Sequence, residues 1–465
     1  MQEGGRQRLF GTDGIRGVAG RFPLDAATVA IISGALVRNL IRELGRAPRI
    51  VIGRDTRESG PEIERALARG AIGAGASVQS AGVITTPGVA YITRTERFDA
   101  GVVISASHNP FQDNGIKVFS PTGRKLADEM ERRIEADVAA SQPSTERYGD
   151  DWLRDQQAHE HDYQEHYLNY LADEVAAGLR LEGMGVALDC ANGAASTLAP
   201  DLFARLGASV VTISAQPDGR NINEECGSLH LEGLQRVVTD QRLDIGIAFD
   251  GDADRALFVD ADGNLVDGDA ALLILADDFK ARGLLSGNLV VATVMSNIGL
   301  ELALGERGIE MVRAQVGDRY VLEELLRRDG KLGGEQSGHI IFPDISLAGD
   351  GMITAIELLR AIRTSGRTVA SLASRMTRYP QVLVNVRVRS KPDLESIPEV
   401  KDEIETLERE LEGRGRLLVR YSGTENLARV MIEGKDQKKI NEQANHLAEV
   451  IRQKIGPEPL LLDRA

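Results

Sequence analysis

Four short clusters of this chain carry residue types that can do chemistry, at spacings that let them act together. In the first, Gly101-Val102-Val103-Ile104 leads into Ser105-Ala106-Ser107-His108-Asn109-Pro110 and on through Asp113-Asn114-Gly115-Ile116-Lys117. Pro110 holds Asn109 extended, so Ser107 and His108 are expected on a loop at the C-terminal end of a buried strand, the edge where open α/β sheets bind ligands. A serine there can be a nucleophile, activated by a neighbouring base or by electrostatics; an ordinary polar turn is the alternative. The second cluster, Asp250-Gly251-Asp252-Ala253-Asp254-Arg255, follows the apolar run Ile245–Phe249. Carboxylates at every second position, with small residues between, converge their oxygens in a compact turn, and hard oxygen ligands of this kind suit Mg²⁺ or Ca²⁺. The spacing begins like an EF-hand loop, but no Glu stands at the twelfth position and a strand leads in. A different metal-binding turn is therefore expected, with a solvated acidic turn as the alternative.

The third cluster is Gly333-Gly334-Glu335-Gln336-Ser337-Gly338-His339. Its glycines let backbone approach a ligand, while Glu, Ser and His offer acceptors and donors suited to sugar hydroxyls; a capped glycine turn explains the pattern nearly as well. The fourth is Arg420-Tyr421-Ser422-Gly423-Thr424-Glu425-Asn426, followed by Arg429. Two guanidinium groups, two hydroxyls and a glycine that frees backbone N–H groups make a phosphate cradle, against a loop salt bridge as the simpler reading.

A repeated grammar positions the first three. A β-rich run, an amphipathic helical stretch, then Gly and a second β-rich run occur from Ile50, from Val186 and from Leu289. Each block is close to the roughly 30 residues of a βαβ unit, and alternating strands and helices call for mostly parallel sheets. Three similar α/β domains follow, related by duplication or by shared βαβ grammar. After Pro380 the run Val382–Val388 alternates at period two, as a half-buried antiparallel strand does. A charged helix from Pro392 to Leu411, strands around 417–419 and 428–431 and a helix from Gln437 to Lys454 complete a separate α+β domain. The polar stretches Ser141–Asp151 and Arg363–Ser371 read as linkers, and a further boundary falls near Asp260.

Composition bounds the function. With 465 residues, 42% of them apolar, the chain is long enough for two to four packed domains. Lys and Arg number 55 against 70 Asp and Glu, a net charge of -15 with no clustered basic run, which argues against nucleic acid and anionic membrane partners but not against small anions in a locally positive site. Two cysteines, Cys190 and Cys226, are too few for a disulfide framework and fit a reducing, cytoplasmic setting. No run approaches the 18 or so apolar residues of a membrane span, and the first residues lack a signal-peptide core.

Together, in this order and at these separations, the clusters resemble the α-D-phosphohexomutase superfamily over nearly the whole chain. Phe10-Gly11-Thr12-Asp13-Gly14-Ile15-Arg16-Gly17, Asp189–Ala195, Asn221-Ile222-Asn223, Cys226-Gly227-Ser228 and Val316–Val321 are similar to its bacterial branch acting on glucosamine phosphates. The branch acting on mannose and glucose phosphates is the alternative. The resemblance implies four domains around a central cleft: 1–152 with the phosphoserine, 153–258 with the metal, 259–370 for the sugar and 371–465 for phosphate. Ser107 would be the phosphoserine, with Ser105 as second choice. Asp250, Asp252 and Asp254, with a Ser107 phosphate oxygen, would hold one Mg²⁺. Glu335 and Ser337 would bind sugar hydroxyls; Arg420, Ser422, Gly423, Thr424 and Arg429 would bind the distal phosphate. Arg16, His108, Lys117 and Arg255 would line the reacting group, and Lys117 and His339 would move protons.

The activity implied is reversible conversion of glucosamine 6-phosphate to glucosamine 1-phosphate through a glucosamine 1,6-bisphosphate, feeding UDP-N-acetylglucosamine and cell-wall precursors. A small sugar phosphate is then the partner, in a locally positive cleft, and a homodimer stays open. A metal-dependent sugar phosphatase and a non-catalytic sugar-phosphate sensor are remoter readings. Two departures from the family pattern, Ala253 where Gly is usual and Asn426 where Pro is usual, remove no ligand but put the shape of their loops in question.

Overall fold

A computed structural model describes residues 9–11, 13–141, 156–422 and 426–456. The chain forms two compact units, one of Met1–Met295 with Ile309–Ser374 and one of Ser296–Gly308 with Arg375–Ala465.

The larger unit contains three sheets. The first is built from β1 (Ile15–Val18), α1 (Ala26–Leu44), β2 (Arg49–Arg54), α2 (Gly60–Gly73), β3 (Ser77–Val83), α3 (Thr86–Thr95), β4 (Ala100–Ile104), β5 (Asp113–Phe119) and α4 (Asp128–Ala140). Its order is β1-β5-β4-β2-β3, with β2 parallel to both β3 and β4 and with β5 antiparallel to β4. Both faces of β2 and β4 are covered, hence their unbroken apolar runs. Ile50, Ile52, Val102 and Ile104 join α1, α2 and α4 in one core, while Val51 and Val103 are buried on the other side.

After α5 (Gln156–Asn169) come β6 (Gly185–Asp189), α6 (Ala195–Arg205), β7 (Ser209–Ile213), α7 (Glu232–Gln241), β8 (Ile245–Phe249), β9 (Ala256–Asp260) and β10 (Leu265–Val266), in the order β10-β9-β8-β6-β7. The third set is α8 (Gly268–Ala281), β11 (Leu289–Thr293), β12 (Glu310–Ala314), α10 (Asp318–Arg328), β13 (Gly333–Gly334), β14 (Ile340–Ile341), α11 (Gly351–Ser365) and α12 (Val369–Ala373), with the order β12-β11-β13-β14; α9 (Ile298–Gly305), between β11 and β12 in the chain, belongs to the second unit. The three sheets share one plan: a first strand flanked by two parallel neighbours, then an antiparallel fourth. A single βαβ unit does not account for that repeated order of four strands.

The second unit has β15 (Gln381–Arg387), α13 (Pro398–Leu411), β16 (Gly415–Tyr421), β17 (Leu427–Gly434) and α14 (Gln437–Ile455). Its antiparallel sheet, β15-β17-β16, packs one face on the two helices through Val386, Val430, Ile432, Leu407 and Leu447.

Two expectations change. The helix expected from Pro392 begins at Pro398, because Asp393 caps a short 3₁₀ turn at Leu394–Ser396 and Pro398 suits the first helical turn. The stretch 363–371 is not an open linker: α11 runs to Ser365, Gly366 closes it at φ +63°, and Thr368 caps α12. Of the linker expected at Ser141–Asp151, all but Ser141 lies outside the described residues.

Candidate active site

The three clusters of the larger unit sit at equivalent places in the three sheets. Ser107 follows β4, Asp250 follows β8 and Glu335 follows β13, each the parallel strand beside its sheet's antiparallel fourth. In the first sheet β3 and β4 lie on opposite sides of β2, so the chain switches direction there, and ligands bind outside the C-terminal strand ends at such a point.

Ser107 is 1% exposed and takes a left-handed backbone, φ +53°. Its Oγ donates to Asp250 Oδ2 at 2.6 Å and lies 3.3 Å from His108 Nδ1. Its N–H donates to Ser105 Oγ, and the Ser105 hydroxyl in turn donates to Asp55. Ser105 thus ties the loop to Asp55, whereas the Ser107 hydroxyl faces the acid turn. The metal loop comes close enough that a Cβ on Gly251 would stand 2.5 Å from the Ser107 carbonyl, so only glycine fits there.

Asp250, Asp252 and Asp254 are buried, and each offers a carboxylate oxygen within 4.8 Å of the others. Asp252 Oδ1 and Asp254 Oδ1 are buried without a hydrogen-bond partner. Three buried carboxylates, two of them with an orphaned oxygen, fit a hard divalent cation in charge and donor type. Burial, then Asp254 and Asp252, push Asp250 well above the usual carboxylate range, a measure of how much positive charge the turn lacks. Ala253 adopts a left-handed backbone at φ +54°, a conformation glycine takes more readily.

Cations surround the triad. Lys117 Nζ lies 2.8 Å from Asp252, 3.3 Å from Asp254 and 3.3 Å from Asp13. Burial opposes its charge, but Asp13, Asp252 and Asp254 together raise it well above the ordinary lysine value. Arg255 lies 3.9 Å from Asp250 and 3.8 Å from Asp254, and Arg16 pairs with Asp13 at 2.5 Å. His339 stands between Asp254 at 3.5 Å and Asp318 at 3.7 Å; burial works against its protonation, yet the acids raise it to about 9. His108 goes the other way, lowered to about 4 by burial, Arg255 and Arg16. At neutral pH the site thus offers one uncharged imidazole beside Ser107 and one protonated imidazole beside Asp254.

Glu335 and Ser337 lie on the turn between β13 and β14, both partly exposed. Glu335 Oε1 accepts the Gly317 N–H at 2.9 Å, and Ser337 Oγ has no partner. Gly338, at φ +89°, lets this turn meet Ala256, whose carbonyl a Cβ would approach to 2.3 Å. In the second unit Arg420 and Arg429 pair directly across β16 and β17, like charge facing like, and burial and Arg429 lower Arg420. Ser422 is buried and Lys391 donates to its carbonyl. Gly423 and Thr424 lie outside the described residues.

Asp13, Asp55, Arg57, Lys125, Asn223 and Asp318 touch these groups and carried no chemical assignment from the sequence. Lys125 bridges Asp13 and Asp318, the latter at 2.6 Å. No local signal marks Asp55 and Arg57: they meet the Ser107 loop because β2 and β4 are parallel neighbours, so the residues just beyond their ends come together.

Family models for phosphoglucomutase/phosphomannomutase match the chain as alpha/beta/alpha domain I over residues 7–144, domain II over 163–263, domain III over 267–379 and C-terminal domain over 383–450. The phosphoglucosamine mutase of Solibacter usitatus is 50% identical over 455 residues, covering 96% of this chain and 99% of its own. That of Koribacter versatilis is 50% identical over 464 residues, covering 97% and 98%. A phosphoglucomutase/phosphomannomutase family protein of Burkholderia thailandensis shares the fold with a TM-score of 0.78 at 22% identity, over 97% of this chain and 99% of that one. An N-acetylphosphoglucosamine mutase of Aspergillus fumigatus, solved in complex with GlcNAc-6P and magnesium, gives a TM-score of 0.62 at 18% identity over 96% and 95%.

Proposed function

The chain belongs to the phosphoglucomutase/phosphomannomutase family, the α-D-phosphohexomutases, and from that premise we propose that it interconverts glucosamine 6-phosphate and glucosamine 1-phosphate through a phosphorylated Ser107. The observation that carries the proposal is the 2.6 Å bond from Ser107 Oγ to Asp250, which sets a buried hydroxyl against three carboxylates suited to a metal. The substrate follows the name of relatives 44–50% identical over nearly their whole length.

In the first half-reaction the free sugar hydroxyl attacks the phosphorus carried by Ser107. The Oγ–P bond breaks with its electron pair on Oγ, the sugar O–P bond forms, the hydroxyl gives up its proton and Oγ takes one. The product is glucosamine 1,6-bisphosphate. Turned end for end, it returns its other phosphate to Ser107. A Mg²⁺ ion held by Asp250, Asp252, Asp254 and the Ser107 phosphate would neutralise charge on the transferring group, the dominant need of phosphoryl transfer. Arg16 and Arg255 add fixed positive charge. His108, uncharged in the metal-free protein and 3.3 Å from Oγ, can take the proton that the sugar hydroxyl gives up and return it to Oγ; Lys117 and His339 are charge partners of the carboxylates and the further candidates for proton transfer. Glu335 and Ser337 orient sugar hydroxyls. Arg420, Ser422, Gly423, Thr424 and Arg429 take the phosphate that is not reacting. The four-domain division at 152, 258 and 370 and a cytoplasmic setting, consistent with two free, buried cysteines, belong to the same reading.

The test is a coupled assay with glucosamine, glucose and mannose phosphates, bisphosphate and Mg²⁺, on wild type and Ser107→Ala. Glucosamine phosphate should be preferred, and the variant should fold normally without turnover. Wild-type turnover by Ser107→Ala, or preference for glucose or mannose phosphate, would overturn the proposal.

A further inference from the structure

Arg57 is fully buried, lies outside the reacting groups, and uses both terminal nitrogens on the loop that presents Ser107. Nε donates to Asp55 at 2.9 Å. One terminal nitrogen donates to the carbonyls of Pro110 and Asp113, the other to those of Ser107 at 3.0 Å and Asn109 at 2.9 Å. Five N–H groups thus meet five acceptors, the full capacity of a guanidinium. Asn223, from the second sheet's loops, reinforces the same two carbonyls, donating to Ser107 at 2.9 Å and Asn109 at 3.0 Å. Asp55 completes the frame by accepting from the Arg57 backbone N–H and from Ser105, whose oxygen receives the Ser107 N–H.

This frame is concentrated at a strained place. A left-handed backbone at a non-glycine residue is disfavoured and persists only where the surroundings over-determine it. Ser107 is that residue, and its N–H and C=O are both gripped, on opposite sides, by the Asp55–Ser105 and Arg57–Asn223 bonds. A serine that alternates between phosphate donor and phosphate acceptor needs an Oγ that returns to one in-line position twice per cycle. Gripping the backbone on both sides leaves χ1 as the freedom that remains.

We propose that Arg57, held by Asp55, is a positioning residue for phosphoryl transfer: it fixes the left-handed backbone of Ser107 so that Oγ stays aimed at the Asp250 turn. This rests on the mutase reading and adds to it a residue that touches neither substrate nor metal. Lysine cannot substitute, because an ammonium has three donors and no planar fork.

The experiment compares wild type with Arg57→Lys, and with Asp55→Asn as a milder second variant. Two readouts are taken below the melting temperature of each: steady-state kcat and KM, and the rate at which a sugar 1,6-bisphosphate with Mg²⁺ phosphorylates the chain, followed by intact mass. A misplacement of about 1 Å can cost on the order of 100-fold in rate, so kcat and the phosphorylation rate should fall together by roughly that factor while KM stays within about twofold. Asp55→Asn should show the same split with a smaller loss. If the folded Arg57→Lys protein takes phosphate at the wild-type rate, the inference is wrong. It is equally wrong if kcat recovers fully once temperature is lowered, since that marks a stability effect alone. A wild type that accepts phosphate on Ser107 without isomerising glucosamine phosphate would instead refute the mutase reading, and the phosphorylation rates would still decide the role of Arg57.

Discussion

Replacing Asp252 by Asn separates metal binding from folding, and the geometry sets the size of each effect. Asp252 repels Asp250 and Asp254, whose nearest ligand oxygens lie within 4.8 Å, at about 3.5 kcal/mol each for an effective dielectric near 20. Against that roughly 7 kcal/mol stands its attraction to Lys117 at 2.8 Å, about 6 kcal/mol on the same basis. Where Asp250 is ionised the two nearly cancel, and there, without metal, Asp252→Asn should melt within a few degrees of wild type although a buried charge has been removed; burial and its acidic neighbours favour the neutral form of Asp250, so the comparison is made at alkaline pH. With Mg²⁺ the variant should diverge. A ligand present at about 100 times its dissociation constant stabilises by about 2.7 kcal/mol, a rise of several degrees for a domain of this size, and the variant should lose most of that rise. Scanning calorimetry of both proteins in chelator and across a Mg²⁺ titration reads both quantities, with mutase turnover measured alongside. An undiminished Mg²⁺-dependent rise in Asp252→Asn would refute the triad as the metal site. A large loss of stability in chelator would refute the charge balance.

Two further outcomes follow from the same geometry. His339 is raised from 6.5 to about 9, so in the metal-free protein it binds a proton more tightly folded than unfolded; the stability this gives is complete below pH 6.5 and is lost as pH rises toward 9. Melting temperature against pH should decline across that window in wild type and decline less in His339→Gln, and an identical slope in both would show that the acids around His339 do not hold its proton. Arg420 faces Arg429 across the strands, and like charges directly opposite destabilise a sheet, so Arg420→Met should fold at least as well as wild type. Losing a charge-assisted phosphate contact of roughly 1.5–3 kcal/mol should lower kcat/KM about 10- to 100-fold. Unchanged kcat/KM would remove Arg420 from the substrate site.

What was legible in the sequence was local. The parallel strands from Ile50, Val186 and Leu289 follow from apolar runs and glycine punctuation, and β15 follows from its alternation. The acid turn and the Ser107 loop were legible because each is contiguous. Arg57 was not, since its acceptors at residues 107–113 lie 50 and more positions away and an Arg two residues after an Asp reads as a surface pair. Strand order alone brings them together. Lys125 and Asp318 were missed for the same reason: each looks like an exposed loop charge until β5 and α10 set them 2.6 Å apart. Ala253 was legible as a departure, but not its consequence, because whether a methyl group tolerates φ +54° depends on the space around it.

Around the acid turn of the larger unit, positive and negative side chains come in pairs. Asp13, Asp250, Asp252, Asp254 and Asp318 interlock with Arg16, Lys117, Lys125, Arg255 and a protonated His339, so carboxylates and cations are matched in number. With all five carboxylates ionised, as a bound metal would hold them, this part of the site is nearly neutral before the metal is counted. A divalent ion makes it positive by two, and a phosphate on Ser107 contributes about -1.5 to -2, returning it to near neutrality. That balance suits a catalyst whose intermediate must leave its first position, turn, and be accepted again. A strongly positive site would hold a bisphosphate in whichever orientation it first adopted, whereas matched charge would let the contacts proposed for Glu335, Ser337 and the arginines choose between orientations of similar energy. The net charge of -15 then lies outside these ion pairs.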